Sequence, residues 1–194
     1  MTTLIEFLSE NVEHTSIWRI TKKYDIVLAD PPWSYYNDNG AAKFYNTMSD
    51  AELLRFPMRN LMTHLSILFL WATAPRLDFA MRCIARWGLT YRGMAFVWIK
   101  TRHDGLPLTA TGVRPSVTKP LIEFVLVASM VGRGRPLPIS DESVRQLVFA
   151  PRREHSRKPD EVQERIEALY PNFSKIELFA RRRRKGWDAW GAEV

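Results

Sequence analysis

The run Ile26-Val27-Leu28-Ala29-Asp30-Pro31-Pro32-Trp33 decides how this chain is read. Its first four residues are apolar and partly β-branched, a pattern that packs as a buried strand. Two prolines then end it, since neither has an N–H to give to a ladder and Pro31 pushes Asp30 toward extended backbone. Asp30 is therefore expected at the carboxyl end of a strand, the edge at which open α/β sheets bind ligands. The plainer alternative is a strand closed by a proline-rich turn with a half-buried Trp33.

Asp30 to Trp33 also supply what methylation of an exocyclic nucleobase amine demands. The nitrogen lone pair is delocalised into the ring, so both N–H groups must be held by acceptors that favour a pyramidal nitrogen. The Asp30 carboxylate and the Pro31 main-chain carbonyl are two such acceptors, and consecutive prolines keep that carbonyl from wandering. Trp33 offers a face on which an extruded base can stack. The candidate catalytic set is thus Asp30, Pro31, Pro32 and Trp33.

With 194 residues, 46% of them hydrophobic, the chain is sized for one domain, taken as residues 1–194. No signal-peptide pattern and no apolar run of spanning length is read; Leu121 to Val131 is nearest and contains Glu123. A cytoplasmic protein with no membrane partner is expected. Cys83 is the only cysteine, which excludes an intrachain disulfide, and four scattered histidines give no metal-ligand spacing, so no metal is expected. The net charge is +7, and residues 76–119 carry eight basic side chains against Asp78 and Asp104, a local excess of 8 − 2 = +6. A phosphate-bearing partner and a solvated basic face both account for that excess.

Thr3 with Glu6 is a capping-box pattern for a short N-terminal helix, and Ser49 with Glu52 opens another that Pro57 interrupts. Leu65 to Trp71, Ala95 to Ile99, Leu121 to Ala128 and Ile176 to Phe179 read as strands. Pro75 opens a helix with Leu77, Met81, Ile84 and Ala85 on one face, closed by Gly88, and Pro159-Asp160-Glu161 starts another with Val162, Ile166 and Leu169 on one side. Residues 34–46, 101–119 and 130–140 are expected as mobile loops. Strands alternating with helices predict an α/β sheet with helices on both faces. Glu123 lies inside an apolar strand and needs a cation, for which Lys119, Arg114 and Lys100 are candidates. Glu177 is expected to face away from the main core and to pair with Arg181 or Arg183. His64, His103, His155 and Cys83 suggest only packing or surface roles.

The chain resembles the DPPW-type N6-adenine methyltransferases, a family that includes the eukaryotic messenger-RNA adenosine methyltransferase and bacterial and phage enzymes. Besides Asp30 to Trp33, the resemblance rests on Tyr45-Asn46-Thr47-Met48-Ser49-Asp50, Leu68-Phe69-Leu70-Trp71, Trp87-Gly88, Val97-Trp98-Ile99-Lys100-Thr101, His155-Ser156-Arg157-Lys158-Pro159-Asp160-Glu161 and Lys175-Ile176-Glu177-Leu178-Phe179-Ala180-Arg181. It implies a Rossmann-like, S-adenosylmethionine-dependent fold in permuted order, with the catalytic strand early and the cofactor strand, Lys175 to Phe179, late. It further implies cofactor contacts from Asp30, Lys158, Arg181, Arg183, Ala192 and Glu193. Lys158 would lie near the methionine carboxylate or the target adenosine, and Glu193 near the ribose hydroxyls. Substrate contacts are expected from Tyr45, Lys100, Arg102, Arg114, Glu123, Ser156 and Arg157. Three positions depart from the family pattern: Ala192 replaces a polar residue, and Arg183 and Arg184 replace residues often seen as His and Asn.

The expected activity is methyl transfer to adenine N6 in nucleic acid, DNA rather than RNA. An RNA enzyme and a non-catalytic nucleic-acid-binding or partner-stabilising subunit of the same fold are the alternatives. Whether the chain forms a homodimer or joins a partner subunit stays open.

Overall fold

Residues 16–34, 48–106, 108, 120–153 and 157–194 are described by the computed structural model of the chain. Their strands are β1 (Tyr24–Ala29), β2 (Met62–Thr73), β3 (Thr90–Thr101), β4 (Ile122–Ser129), β5 (Leu147–Pro151), β6 (Lys175–Leu178) and β7 (Asp188–Trp190). The helices are α1 (Asp50–Arg55), α2 (Leu77–Arg86) and α3 (Asp160–Leu169). All seven strands join one sheet in the order β5-β3-β4-β2-β1-β6-β7. β4 pairs antiparallel with β2 and β3 and every other pairing is parallel, so β4 alone runs against the other six strands.

The central strands are apolar on both sides because both sides are covered. Val27 and Ala29 of β1, with Leu68, Leu70 and Ala72 of β2, pack on one face with Leu53 of α1 and Phe79, Ala80, Cys83 and Ile84 of α2. Ile26, Leu28, Ile67, Phe69 and Trp71 pack on the other with Val162 and Ile166 of α3. This is the expected Rossmann-like α/β fold in permuted order: β1, which ends at Asp30, is central and early, and the late β6 lies beside it.

The capping box of α1 forms as expected, with the Ser49 hydroxyl accepting from the Glu52 N–H and the Glu52 carboxylate accepting from the Ser49 N–H. In α2 the buried face is Phe79, Ala80, Cys83 and Ile84, while Ala85 is exposed and Leu77 and Met81 are only partly covered. The short 3-10 turn Ala74–Arg76 precedes α2. Gly88 closes α2 at φ +69°, where a side chain would be strained. Two strands, β5 and β7, were not expected. The late strand stops at Leu178 because Phe179 takes φ +61°. Residues 130–140 form the expected irregular connection. The helix predicted from Thr3 and Glu6 lies outside the described residues, as does most of the 34–46 loop.

The segments on either side of residues 35–47 are tied together. Trp33 forms a parallel bridge with Met48, and the Met48 N–H donates to the Pro32 carbonyl at 3.2 Å. The Ser34 hydroxyl reaches Asp50 at 3.2 Å, and Asp50 is ion-paired with Arg76. The Arg76 side chain is only 6% exposed, and its guanidinium sits 4.3 Å from the Phe79 ring centroid. A buried cation that loses its carboxylate is left uncompensated, so Asp50→Ala should destabilise the fold by about 3–5 kcal/mol. Asp50→Ala with Arg76→Met should recover much of that loss; urea melts of the single and double variants check both.

Candidate active site

Four charged side chains from four separate elements meet at the carboxyl end of β1. Asp30 immediately follows β1 and lies on the α3 side by strand alternation, like Ile26 and Leu28. Lys158 precedes α3 and places its Nζ 3.0 Å from Asp30 Oδ2 and 3.1 Å from Glu123 Oε2. Glu123 lies near the start of the reversed β4, which brings a strand beginning to an edge otherwise made of strand ends. Its other oxygen is 2.6 Å from Lys100 Nζ, on β3. Two indoles floor the cluster: Lys158 Nζ lies 5.4 Å from the Trp71 ring and Lys100 Nζ 5.1 Å from the Trp98 ring.

The protonation pattern follows from who shares which cation. Burial pushes the Asp30 carboxyl up; Lys158 opposes this, but Asp30 shares that single cation with Glu123. Burial also acts on Glu123, yet Lys158 and Lys100 together outweigh it and hold this carboxyl below its ordinary value. Lys158 is largely withdrawn from solvent, with 17% of its side chain exposed, which alone would favour the neutral form, but the two carboxylates raise its pKa and keep it an ammonium. Among the expected partners of Glu123, Lys100 is therefore correct; Lys158 is the second, and Arg114 and Lys119 lie outside the described residues.

The turn after Asp30 is fixed in place. The Asp30 N–H donates to the Leu178 carbonyl at 3.4 Å, and the Trp33 N–H donates to the Pro31 carbonyl at 2.8 Å, leaving that oxygen one lone pair. Trp33 does not offer a free face. Its side chain is buried, its indole N–H donates to the Trp71 carbonyl at 3.2 Å, and Phe79 meets it edge-on at 6.0 Å. The expectation that Trp33 stacks on a base is corrected: the ring is a wedge that anchors the turn in the core.

Glu177, opposite Leu28 in the β1–β6 register, lies on the Asp30 side of the sheet. It pairs with neither Arg181 nor Arg183: Gln163 of α3 donates to it at 2.8 Å, because the inward face of α3 includes Gln163. Burial raises its carboxyl to about 7, opposed by the Gln163 hydrogen bond and reinforced by Asp30. A folded-state value above the unfolded one means the folded chain holds the extra proton, so stability falls as pH rises from about 4.5 to about 7. Glu177→Gln keeps the hydrogen bond and removes the charge. It should stabilise the protein by about 1–3 kcal/mol at pH 8, with the gain shrinking toward pH 4.5 in denaturant melts.

The C-terminal basic run is mostly engaged. Arg181 pairs with Glu193 at 2.8 Å, Arg182 with Asp160, and Arg184 makes a two-pronged contact with Glu167, which also accepts from the Trp187 indole at 2.7 Å. Arg183 and Ala192 are exposed. Gly191 sits so close that an added Cβ would fall 2.2 Å from the Ala180 carbonyl oxygen, which brings the residues around Glu193 against the end of β6. Arg157 lies 3.7 Å from Asp160, and Arg102 is paired with Asp104 at 2.6 Å, beyond the four-charge cluster. Tyr45, Arg114 and Ser156 fall outside the described residues. No metal-binding group of His, Cys, Asp and Glu occurs among the described residues.

A Rossmann-like sheet with this acidic turn at the end of a central strand and a cluster of four charges beside it is the architecture of a methyltransferase. Residues 24–193 match the MT-A70 family, and the chain belongs to it. It is 33% identical over 195 residues to the type II methyltransferase M.MunI of a Mycoplasma species, covering 89% of this chain and 78% of that protein. The N(6)-adenosine-methyltransferase catalytic subunit METTL3 of Homo sapiens is 30% identical over 163 residues, 84% of this chain. A putative MT-A70-like N(6)-adenosine-methyltransferase of Medicago truncatula is 29% identical over 179 residues, 90% of this chain. The matched region spans only 26% and 27% of those two longer proteins. The chain is an enzyme of this methyltransferase family.

Proposed function

We propose that this chain transfers a methyl group from S-adenosylmethionine to the N6 amine of adenine in nucleic acid, DNA in preference to RNA. The observation that carries the reading is Asp30, held by Lys158 at the carboxyl end of β1. The Asp30 carboxylate and the Pro31 carbonyl accept the two N–H groups of the target amine and orient its lone pair, while Pro32 and the buried Trp33 keep the turn rigid. Proton loss can follow transfer, so no dedicated general base is needed.

The residues present suit the cofactor. Lys158 is a buried ammonium with a third N–H to offer a carboxylate, Asp30 can accept from an amine, and Glu193 can accept from ribose hydroxyls. Arg181, beside Glu193 and close enough to influence Asp30, lines the same end of β6, with Arg183 and Ala192 at its rim. When bound, S-adenosylmethionine supplies an electrophilic methyl group on a sulfonium.

Lys100 and Glu123 of the four-charge cluster, with Arg102 and Arg157 beyond it, are assigned to the substrate; Tyr45, Arg114 and Ser156 complete the proposed substrate set from the sequence. The preference for DNA rests on the extent of the likeness, which covers most of the Mycoplasma methyltransferase but about a quarter of the adenosine methyltransferases. Residues 1–194 are read as one domain of a cytoplasmic protein, alone or beside a partner subunit. No helix among the described residues is long and apolar enough to cross a membrane.

Mass spectrometry of nucleosides from DNA and RNA incubated with the protein and S-adenosylmethionine tests the reading; N6-methyladenine in DNA is expected, and its absence from both polymers would overturn it. One observation favours the non-catalytic subunit: Glu193 is already held by Arg181, beside Ala192, which has no polar side chain. Titration calorimetry with S-adenosylmethionine separates the two, since a scaffold without a cofactor site gives no binding heat.

A further inference from the structure

A cavity of about 650 Å³ opens at the carboxyl ends of β3 and β5, lined by Thr101, Arg102, His103, Asp104, Leu108 and Arg152. Its volume falls in the usual range for small-ligand sites. It begins one residue beyond Lys100, whose ammonium belongs to the four-charge cluster. The Arg152 N–H donates to the Thr101 carbonyl and the Leu108 N–H to the Lys100 carbonyl, so both walls are pinned to the strand that carries Lys100.

Its chemistry is that of a site for a base with a phosphate. Asp104 is committed on two sides, accepting from the Leu106 N–H at 3.1 Å and pairing with Arg102 at 2.6 Å. The Arg102 main-chain N–H in turn donates to the Leu106 carbonyl at 2.8 Å, which closes the 102–106 turn. Asp104 cancels much of the Arg102 charge, so attraction for an anion falls to Arg152, exposed at the rim. Leu108 adds an apolar wall on which a base can lie.

We propose that this cavity holds the nucleotide next to the target adenine, with its phosphate at Arg152 and its base against Leu108. The proposal rests on the nucleic-acid reading above and deepens it: sequence context would be read one strand away from the reacting amine. A polymer threaded from the four-charge cluster along the edge of the sheet meets this cavity next. The Arg102–Asp104 pair serves as its rigid side.

The test uses the full chain and a labelled single-stranded deoxyoligonucleotide with one adenine, read by fluorescence anisotropy. Two companion oligonucleotides carry an abasic nucleotide on the 5′ or the 3′ side of that adenine. The native protein should bind one companion about tenfold more weakly than the intact strand, the effect of covering roughly 50 Å² of a base's apolar face. Arg152→Ala should weaken the intact strand, flatten the slope of log affinity against log salt by about 0.7, and bind the same companion nearly as well as the intact strand. Arg152 is exposed, and a thermal melt verifies that the variant is folded. Native protein indifferent to both abasic positions, or a variant that keeps the native discrimination and salt slope, overturns the proposal. Methyl transfer is scored separately: flank discrimination without adenine methylation supports the subsite and counts against the N6 reading, whereas methylation without flank discrimination counts against the subsite alone.

Discussion

Asp30→Asn is expected to lower methyl transfer by about 10²–10³-fold while leaving the melting temperature unchanged or raised. The two halves of that result have one cause. Burial pushes the Asp30 carboxyl above its ordinary value, so the folded protein holds the ionised form at a cost. The sign follows: the folded state binds the proton more tightly than the unfolded chain, and stability falls as pH rises through the raised value. Asn has the same shape and no charge to desolvate. It also offers an N–H where the target amine needs an acceptor, and so loses the alignment on which transfer depends. Such a trade between stability and activity is expected of a group held for chemistry rather than for folding. A variant with near-native turnover would sink the assignment of Asp30, and one that melts far below the native protein would show the carboxylate to be structural.

Lys158→Met carries the second large effect, in the opposite sense for stability. It removes the cation between two carboxylates, leaving Asp30 with only the more distant Arg181 and Glu123 with Lys100 alone. Losing the cation of a fully buried pair costs about 3–5 kcal/mol, and the loss here should approach the lower end because the Asp30 side chain is 27% exposed. The loss should be greatest at pH 8 and shrink on acidification, because both carboxyls rise when Lys158 is gone and can then discharge by binding protons. Urea melts at pH 8 and pH 5.5 measure that difference, and equal losses at the two values would mean that the lysine stem, not its charge, matters. Lys158→Arg should rescue only partly, since a planar fork does not reproduce a compact ammonium about 3 Å from two separate carboxylates.

Much of this site was legible in the residues, unevenly and for identifiable reasons. The strand ending at Asp30 could be read because an apolar run and two prolines act locally. Glu123 announced a need for a cation because a lone carboxylate in an apolar strand is costly. That one of its cations is Lys158 depends on how α3 docks on the sheet, which no local pattern encodes; only the family resemblance pointed to that lysine. Trp33 was misread because a tryptophan beside a reactive turn suits stacking, whereas the bridge to Met48 and the edge contact with Phe79 arise from segments far apart in the chain. The partner of Glu177 was missed for the same reason, Gln163 being a polar residue on the buried side of a helix. Strands β5 and β7 escaped notice because a few residues held by pairing with β3 and β6 carry too short an alternation to register. The face of α2 was misassigned because Leu77 and Met81 are as apolar as Phe79 and Ala80, and which of them is covered is decided by packing against the sheet.

The reversal of β4 has a kinetic consequence. The four charges come from positions 30, 100, 123 and 158, and the last two meet Asp30 only after β4 has inserted between β2 and β3 and α3 has closed over the opposite face. A chain that has formed β1 and β2 alone has no partner for Asp30, so the cluster belongs to high contact order and late assembly. Amide exchange should then show the backbone around Glu123 and Lys158 gaining protection together, in the step that completes the sheet. No folding intermediate lacking that step would be competent for catalysis, and a nascent chain would acquire activity only once its sequence beyond α3 had emerged.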